Sequence, residues 1–206
     1  MNKYNIRLII FLVVAVLLCQ NALFCQNKFK AAAVGGITAA QLGGDSISGY
    51  DKLGFTFGGK LGYSLSDVVE LNFELLYTQR GSSNSLSFSN SGFNVTSLNY
   101  LEIPVYLTFN DWLIEKEDYY KVGIFGGFSY GYLISANSTN NILAGREDEF
   151  RTNDISARAG VYYSFTKSLT FRTYYTDSLV KLVEGELFNT DGLDSFYWTF
   201  RIDYNL

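Results

Sequence analysis

Two acidic side chains on neighbouring stretches of the chain, Glu74 in "FELLYTQRG" and Glu102 in "YLEIPVYLTF", are of the type that a paired-carboxylate reaction such as glycoside hydrolysis uses. That chemistry needs one carboxyl protonated and the other ionised. Arg158, Arg172 and Arg201 share the same kind of strand face, and guanidiniums close by hold both glutamates ionised, which removes the general acid. The 206 residues contain no histidine, so Ser/His and His/Asp constellations cannot be assembled from this chain. Its two cysteines, Cys19 and Cys25, both fall in the N-terminal segment, and neither a phosphate loop nor a Cys/His zinc spacing is present. The run "GREDEF" (145–150), with Asp154, is acidic enough to suggest calcium but lacks the alternating spacing of a calcium loop, and reads as a solvated surface loop. The expectation is no catalytic residue, no cofactor and no metal.

What remains is a set of ionic residues that recur on one side of alternating segments: Lys60, Glu70, Glu74, Glu102, Lys121, Arg158, Arg172, Arg201 and Asp203. Eight such segments are legible, at 29–40, 53–65, 68–80, 98–109, 120–135, 155–165, 169–176 and 196–206. Side chains along a strand point to opposite faces with period two. In 196–206, Phe196, Trp198, Phe200, Ile202, Tyr204 and Leu206 therefore share one face, and Tyr197, Thr199, Arg201, Asp203 and Asn205 the other. Leu71, Phe73, Leu75 and Tyr77 oppose Glu70, Asn72 and Glu74 in the same way. The first segment is the weakest, being built from Ala and Gly.

The joins between segments sort by parity. "SD", "NDWLIEKEDY" and "TKS" follow segments two, four and six, whereas long polar joins follow segments one, three, five and seven. Short turns at one end and long loops at the other are the organisation of a transmembrane barrel, and most segments have the roughly ten residues a tilted strand needs to cross a bilayer. Two orientations are open. A lipocalin-like soluble barrel, holding a ligand in the periplasm, turns the apolar set inward; a membrane barrel turns it to lipid and fills the lumen with the polar set. Aromatics near strand ends (Tyr63, Phe165, Tyr175, Trp198, Tyr204) favour the second, as an interfacial girdle. Small residues on the polar face (Gly54, Gly58, Gly62, Gly123, Gly127, Gly131) suit a crowded narrow lumen. The expected fold is an all-β, eight-stranded antiparallel up-and-down transmembrane barrel, in which Lys60, Glu74, Glu102, Arg158, Arg172, Arg201 and Asp203 form a structural charge network. The last segment pairs with the first and leaves no edge open in hydrocarbon.

Residues 1–25, with Lys3 and Arg7 ahead of an apolar run, have the shape of a secretory signal peptide, and 26–206 form the barrel domain. The run is short for a membrane helix, and the bulky residues before Cys19 and Cys25 argue against lipidation. With 16 basic and 20 acidic residues, non-specific nucleic-acid binding is not expected. Aromatic residues make up 17% of the chain and proline occurs once, a mix that favours strands with tight turns.

The segments "FELLYTQRG" (73–81) and "YLEIPVYLTF" (100–109), together with "VGGITAAQLGGD" near the start, resemble the PorT-like outer-membrane β-barrel family of Bacteroidetes. The resemblance implies export to the outer membrane and an eight-stranded barrel. It implies no reaction, although the founding member is associated with type IX secretion. Expected partners are outer-membrane lipid and, through the long loops, surface or secretion-system proteins. Pro104, inside the second segment, cannot donate a ladder hydrogen bond, so a bulge or local break is expected there.

Overall fold

The computed structural model describes residues 28–89, 94–140, 143–183 and 192–206; the proposed signal segment lies outside them. Eight strands follow in chain order: β1 (Phe29–Gly43), β2 (Lys52–Ser64), β3 (Val69–Ser83), β4 (Val95–Ile114), β5 (Tyr119–Ser138), β6 (Asn153–Ser164), β7 (Leu169–Ser178) and β8 (Asp194–Asn205). Each pairs antiparallel with the next. β8 closes on β1 in a register running from Ala32 opposite Asn205 to Gly43 opposite Asp194. The Ala- and Gly-rich first segment is thus a full strand of 15 residues, held on both sides.

The faces divide by period two around the whole barrel. Phe200 and Ile202 are each 40% exposed on the outside, while Arg201 and Asp203, one step away, are 2% and 0% exposed within. The lipocalin-like orientation, apolar set inward, is overturned by this burial. Ring pairs on the outer surface gather at both ends. Phe29–Tyr63 and Tyr163–Phe165 stand at the short-turn end, with Phe55–Phe88 and Tyr175–Trp198 at the long-loop end, their centroids 5.0–5.4 Å apart. These are the two girdles that interfacial aromatics form. On the inner face, a Cβ at Gly58 would overlap the Leu75 carbonyl oxygen, and one at Gly127 the Val105 carbonyl oxygen. Glycine lets these backbones approach at those two points.

One local expectation holds and one needs correction. Of the bulge or local break expected at Pro104, the structure has the break: the β3–β4 register is the same on both sides, and the rungs joining Glu74 and Leu75 to Ile103 and Pro104 are missing. The missing N–H opens the ladder without shifting it. The register shift lies at Asn99/Tyr100, where Asn99 pairs with Ser135 and Tyr100 with Leu133, leaving Ile134 as the extra residue. The join "NDWLIEKEDY" is instead mostly strand. β4 and β5, each 20 residues long, continue to Ile114 opposite Tyr119 and leave a tight turn at 115–118. The hairpin tip carries the exposed Trp112 and Leu113 beyond the rim.

At the opposite end the polar-looking loops supply an apolar cap. Leu143 and Phe150 from the β5–β6 loop and Leu182, Val183 and Leu193 from the β7–β8 loop pack on Leu42, Leu98 and Tyr100, all at most 5% exposed. A backbone hydrogen bond from the Arg151 N–H to the Leu182 oxygen (2.7 Å) ties the two loops together, and one from the Leu182 N–H to the Leu193 oxygen (2.6 Å) closes the β7–β8 loop on itself.

Candidate functional site: the ionic lumen

The interior of an eight-stranded barrel is just wide enough for side chains to fill, and here they cross it. Arg201 of β8 reaches Glu74 of β3 with two nitrogens, Nη1 to Oε2 at 2.9 Å and Nη2 to Oε1 at 2.5 Å. Tyr106 of β4 donates to the same Glu74 carboxylate. Glu102 of β4 accepts from Arg158 Nη2 of β6 (2.9 Å) and from the Tyr197 hydroxyl of β8 (2.8 Å). Asp203 accepts from Arg172 Nε (2.7 Å) and lies 3.3 Å from Lys60 Nζ and 2.9 Å from Arg201 Nε. Arg172 and Arg201 stand directly opposite each other across β7 and β8. Like charges so placed repel, and Asp203 between them is what makes the rung tolerable.

All seven residues expected to form the network, Lys60, Glu74, Glu102, Arg158, Arg172, Arg201 and Asp203, are therefore buried and in contact with an opposite charge. The pairing differs in one respect from a simple carboxylate-to-guanidinium match, since Arg172 goes to Asp203 and to neither glutamate. Tyr106, Phe125 and Tyr174 fill the space between the ions, with ring centroids 5.1 and 5.7 Å apart. The guanidiniums of Arg158, Arg172 and Arg201 lie 5.1–5.4 Å from the nearest of these rings, in reach of their electron-rich faces.

Two of the wider set of ionic residues lie at the margin. Lys121 does not join the network: its ammonium lies over the rings of Trp112 (4.9 Å) and Tyr163 (5.6 Å) at the short-turn rim. Glu70 is held by Lys30 at 2.9 Å, with Lys30 half exposed.

One pair escaped the sequence reading. Arg80 bonds Asp154 at 2.6 Å, Ser178 donates to the same carboxylate at 3.0 Å, and the Arg80 guanidinium stacks 3.7 Å from the centre of the Tyr100 ring beneath the cap. Asp154 belongs to the lumen and not with the acidic loop before it, as expected above. The signal was available: Arg80 has the parity of Glu74, and Asp154 that of Arg158. Among the described residues no group of histidine, cysteine, aspartate and glutamate is placed to hold a metal ion.

Below the network, at the short-turn end, the lumen opens. A cavity of about 840 Å³ has Lys60, Glu70, Tyr162 and Arg172 among the residues lining it. The β2–β3 and β6–β7 turns and the β4–β5 hairpin also contribute to its walls. The barrel is therefore capped at one end, ionically filled in the middle and hollow at the other.

A family model described as outer membrane protein beta-barrel domain matches residues 10–205. The chain belongs to this family. Membership, with a closed antiparallel barrel whose outer face is apolar, makes it an outer-membrane barrel protein, with its short-turn end on the periplasmic side. Among solved structures, Ail, the attachment invasion locus protein of Yersinia pestis, is similar at 14% identity and a TM-score of 0.52, over 87% of this chain and 99% of that one. Neisserial surface protein A is similar at 16% identity and a TM-score of 0.48, over 85% and 96%. No curated protein matches the chain.

Proposed function

We propose that the protein is a non-enzymatic, non-conducting barrel of the outer membrane, exported by a cleaved segment at residues 1–25. Its apolar faces engage outer-membrane lipid, and its long loops present a surface for partner proteins or stiffen the envelope. One observation carries this reading: the lumen is crossed at mid-height by side chains bonded from opposite walls, such as Tyr197 of β8 to Glu102 of β4. A path for solutes has to break those bonds. In planar-bilayer recordings the unmodified protein is expected to show no steady large conductance, and a steady large conductance overturns the reading.

A second reading, an accessory part of a type IX secretion or assembly machine, rests on the PorT-like segments. "FELLYTQRG" runs along β3 and "YLEIPVYLTF" along β4, so the two are hydrogen-bonded neighbours. Together they supply Glu74, Glu102 and Tyr106, a unit that a shared family role would maintain. Purification from detergent discriminates the two readings. Secretion-system subunits that co-purify support the accessory role, whereas a barrel that elutes alone throughout supports the first.

A further inference from the structure

The network is uneven along the barrel axis. Toward the cap each guanidinium has a carboxylate of its own, Arg80 with Asp154 and Arg158 with Glu102. Toward the periplasm, Lys60, Arg172 and Arg201 share Asp203, and of these only Arg201 has a second carboxylate, Glu74. Three cations thus face two carboxylates. Glu70 offsets this only in part, from the vestibule wall, where its carboxylate is bonded to Lys30.

The surplus cation sits where the lumen opens. Lys60 and Arg172 both line the periplasmic vestibule, and Arg172, only 4% exposed, has an Nη1 with no hydrogen-bond partner among the described residues; Arg80 and Arg158 also have such nitrogens, but neither lines the vestibule. Leaving a buried donor unpaired is costly, and more so when it is charged. Lys28, Lys30 and Lys167 surround the same space, against Asp67, Glu70 and Asp118.

We propose that this vestibule binds an oxyanion of the phosphate class, held by Lys60 and Arg172 on its inner side and drawn in by Lys28 and Lys167. A guanidinium offers a fork of donors and an ammonium a point charge, the pair of groups that tetrahedral oxyanions recruit. The cavity is far larger than a phosphate ion, and Leu65 and Leu113 give its walls apolar surface for an attached organic group. Its place at the periplasmic membrane surface admits two sources of that chemistry, a soluble phosphorylated compound and the headgroup of an inner-leaflet phospholipid.

The test uses the full barrel in an uncharged, phosphate-free detergent, titrated with inorganic phosphate against chloride at equal ionic strength. Saturable heat and a phosphate-specific rise in unfolding temperature are expected, because a ligand that binds only the folded state stabilises it by mass action. Arg172→Gln is expected to weaken phosphate binding at least tenfold. Since that change also strips Asp203 of a donor, the Lys28→Ala/Lys167→Ala pair provides a variant outside the network. It is expected to weaken binding by roughly threefold, the modest size that screening leaves to rim charges. Absence of a phosphate-specific signal, or parent-like affinity in both variants, overturns the proposal. Competition by short-chain phosphatidylglycerol assigns the site to a lipid headgroup, and its absence to a soluble phosphate compound; either result keeps the site.

Discussion

Arg201→Ala is expected to lower the stability of the folded barrel by about 3–5 kcal/mol, the cost of stranding a buried charge by removing its partner, without opening a pore. Glu74 loses both guanidinium bonds and keeps only the Tyr106 hydroxyl, while Asp203 loses one of its three cations. Urea titration in detergent, followed by the heat-modifiable gel mobility that distinguishes folded barrels, measures the loss. The lumen stays closed because Arg158–Glu102–Tyr197, Arg80–Asp154 and the apolar cap do not depend on Arg201. Bilayer recordings of the variant therefore show no large conductance.

The charge itself, and not the volume of the side chain, carries this effect, and a second variant separates the two. In Glu74→Gln/Arg201→Met neither buried charge of the pair remains, the amide oxygen still accepts from Tyr106, and the methionine stem fills most of the space. Replacing both members of a buried ion pair is often close to neutral, so the double variant is expected to be more stable than Arg201→Met alone, which has the same side chain at 201 and leaves Glu74 charged. A double variant as unstable as the single one assigns the loss to packing and ends the electrostatic account.

The strands and their faces were readable because a barrel in a membrane imposes one rule on every residue. Ionic side chains must leave the lipid face and enter the lumen, so parity alone places Phe171 outside and Arg172 inside, even though Phe125 shares the lumen with the ions. Parity says nothing about which ion meets which. Glu74 finds Arg201 because β3 and β8 flank β1 and β2 in the closed ring, and the closure is a property of the whole chain. Arg80 and Asp154 sit where strands run into polar loops, and there composition hid their shared parity with the network.

The cap was illegible for a related reason. Leu143, Phe150, Leu182 and Leu193 are scattered through polar loops without a period, and only tertiary packing on Leu42, Leu98 and Tyr100 brings them together. Pro104 was legible as far as its break in the β3–β4 ladder. Its missing N–H is a local fact, but the strand is held in register from its other edge, where Pro104 still pairs with Ser129. The vestibule follows from unequal strand lengths and the depth of the ionic layer, neither of which a pattern of types records.

Phe200→Arg is expected to destabilise the barrel by about 2–4 kcal/mol, the measured scale for a basic residue placed on a lipid face at the bilayer midplane. Phe200 lies midway along β8, on the outer surface between Trp198 and Ile202 and paired with Ile37 and Thr173. Among the described residues, its immediate outer-face neighbours Ile37, Thr173, Trp198 and Ile202 offer an arginine no carboxylate. Phe200→Leu, which keeps the face apolar, is expected to change stability by less than about 1.5 kcal/mol. The contrast with the adjacent position is what gives the experiment its force. One residue further along, the same arginine is indispensable, because a single step on a strand crosses from acyl chains to the ionic lumen. Urea titrations of Phe200→Arg and Phe200→Leu in lipid vesicles settle the matter. Equal stability of the two means that the outer face meets water, and the assignment of both faces, with the ionic network drawn from it, falls.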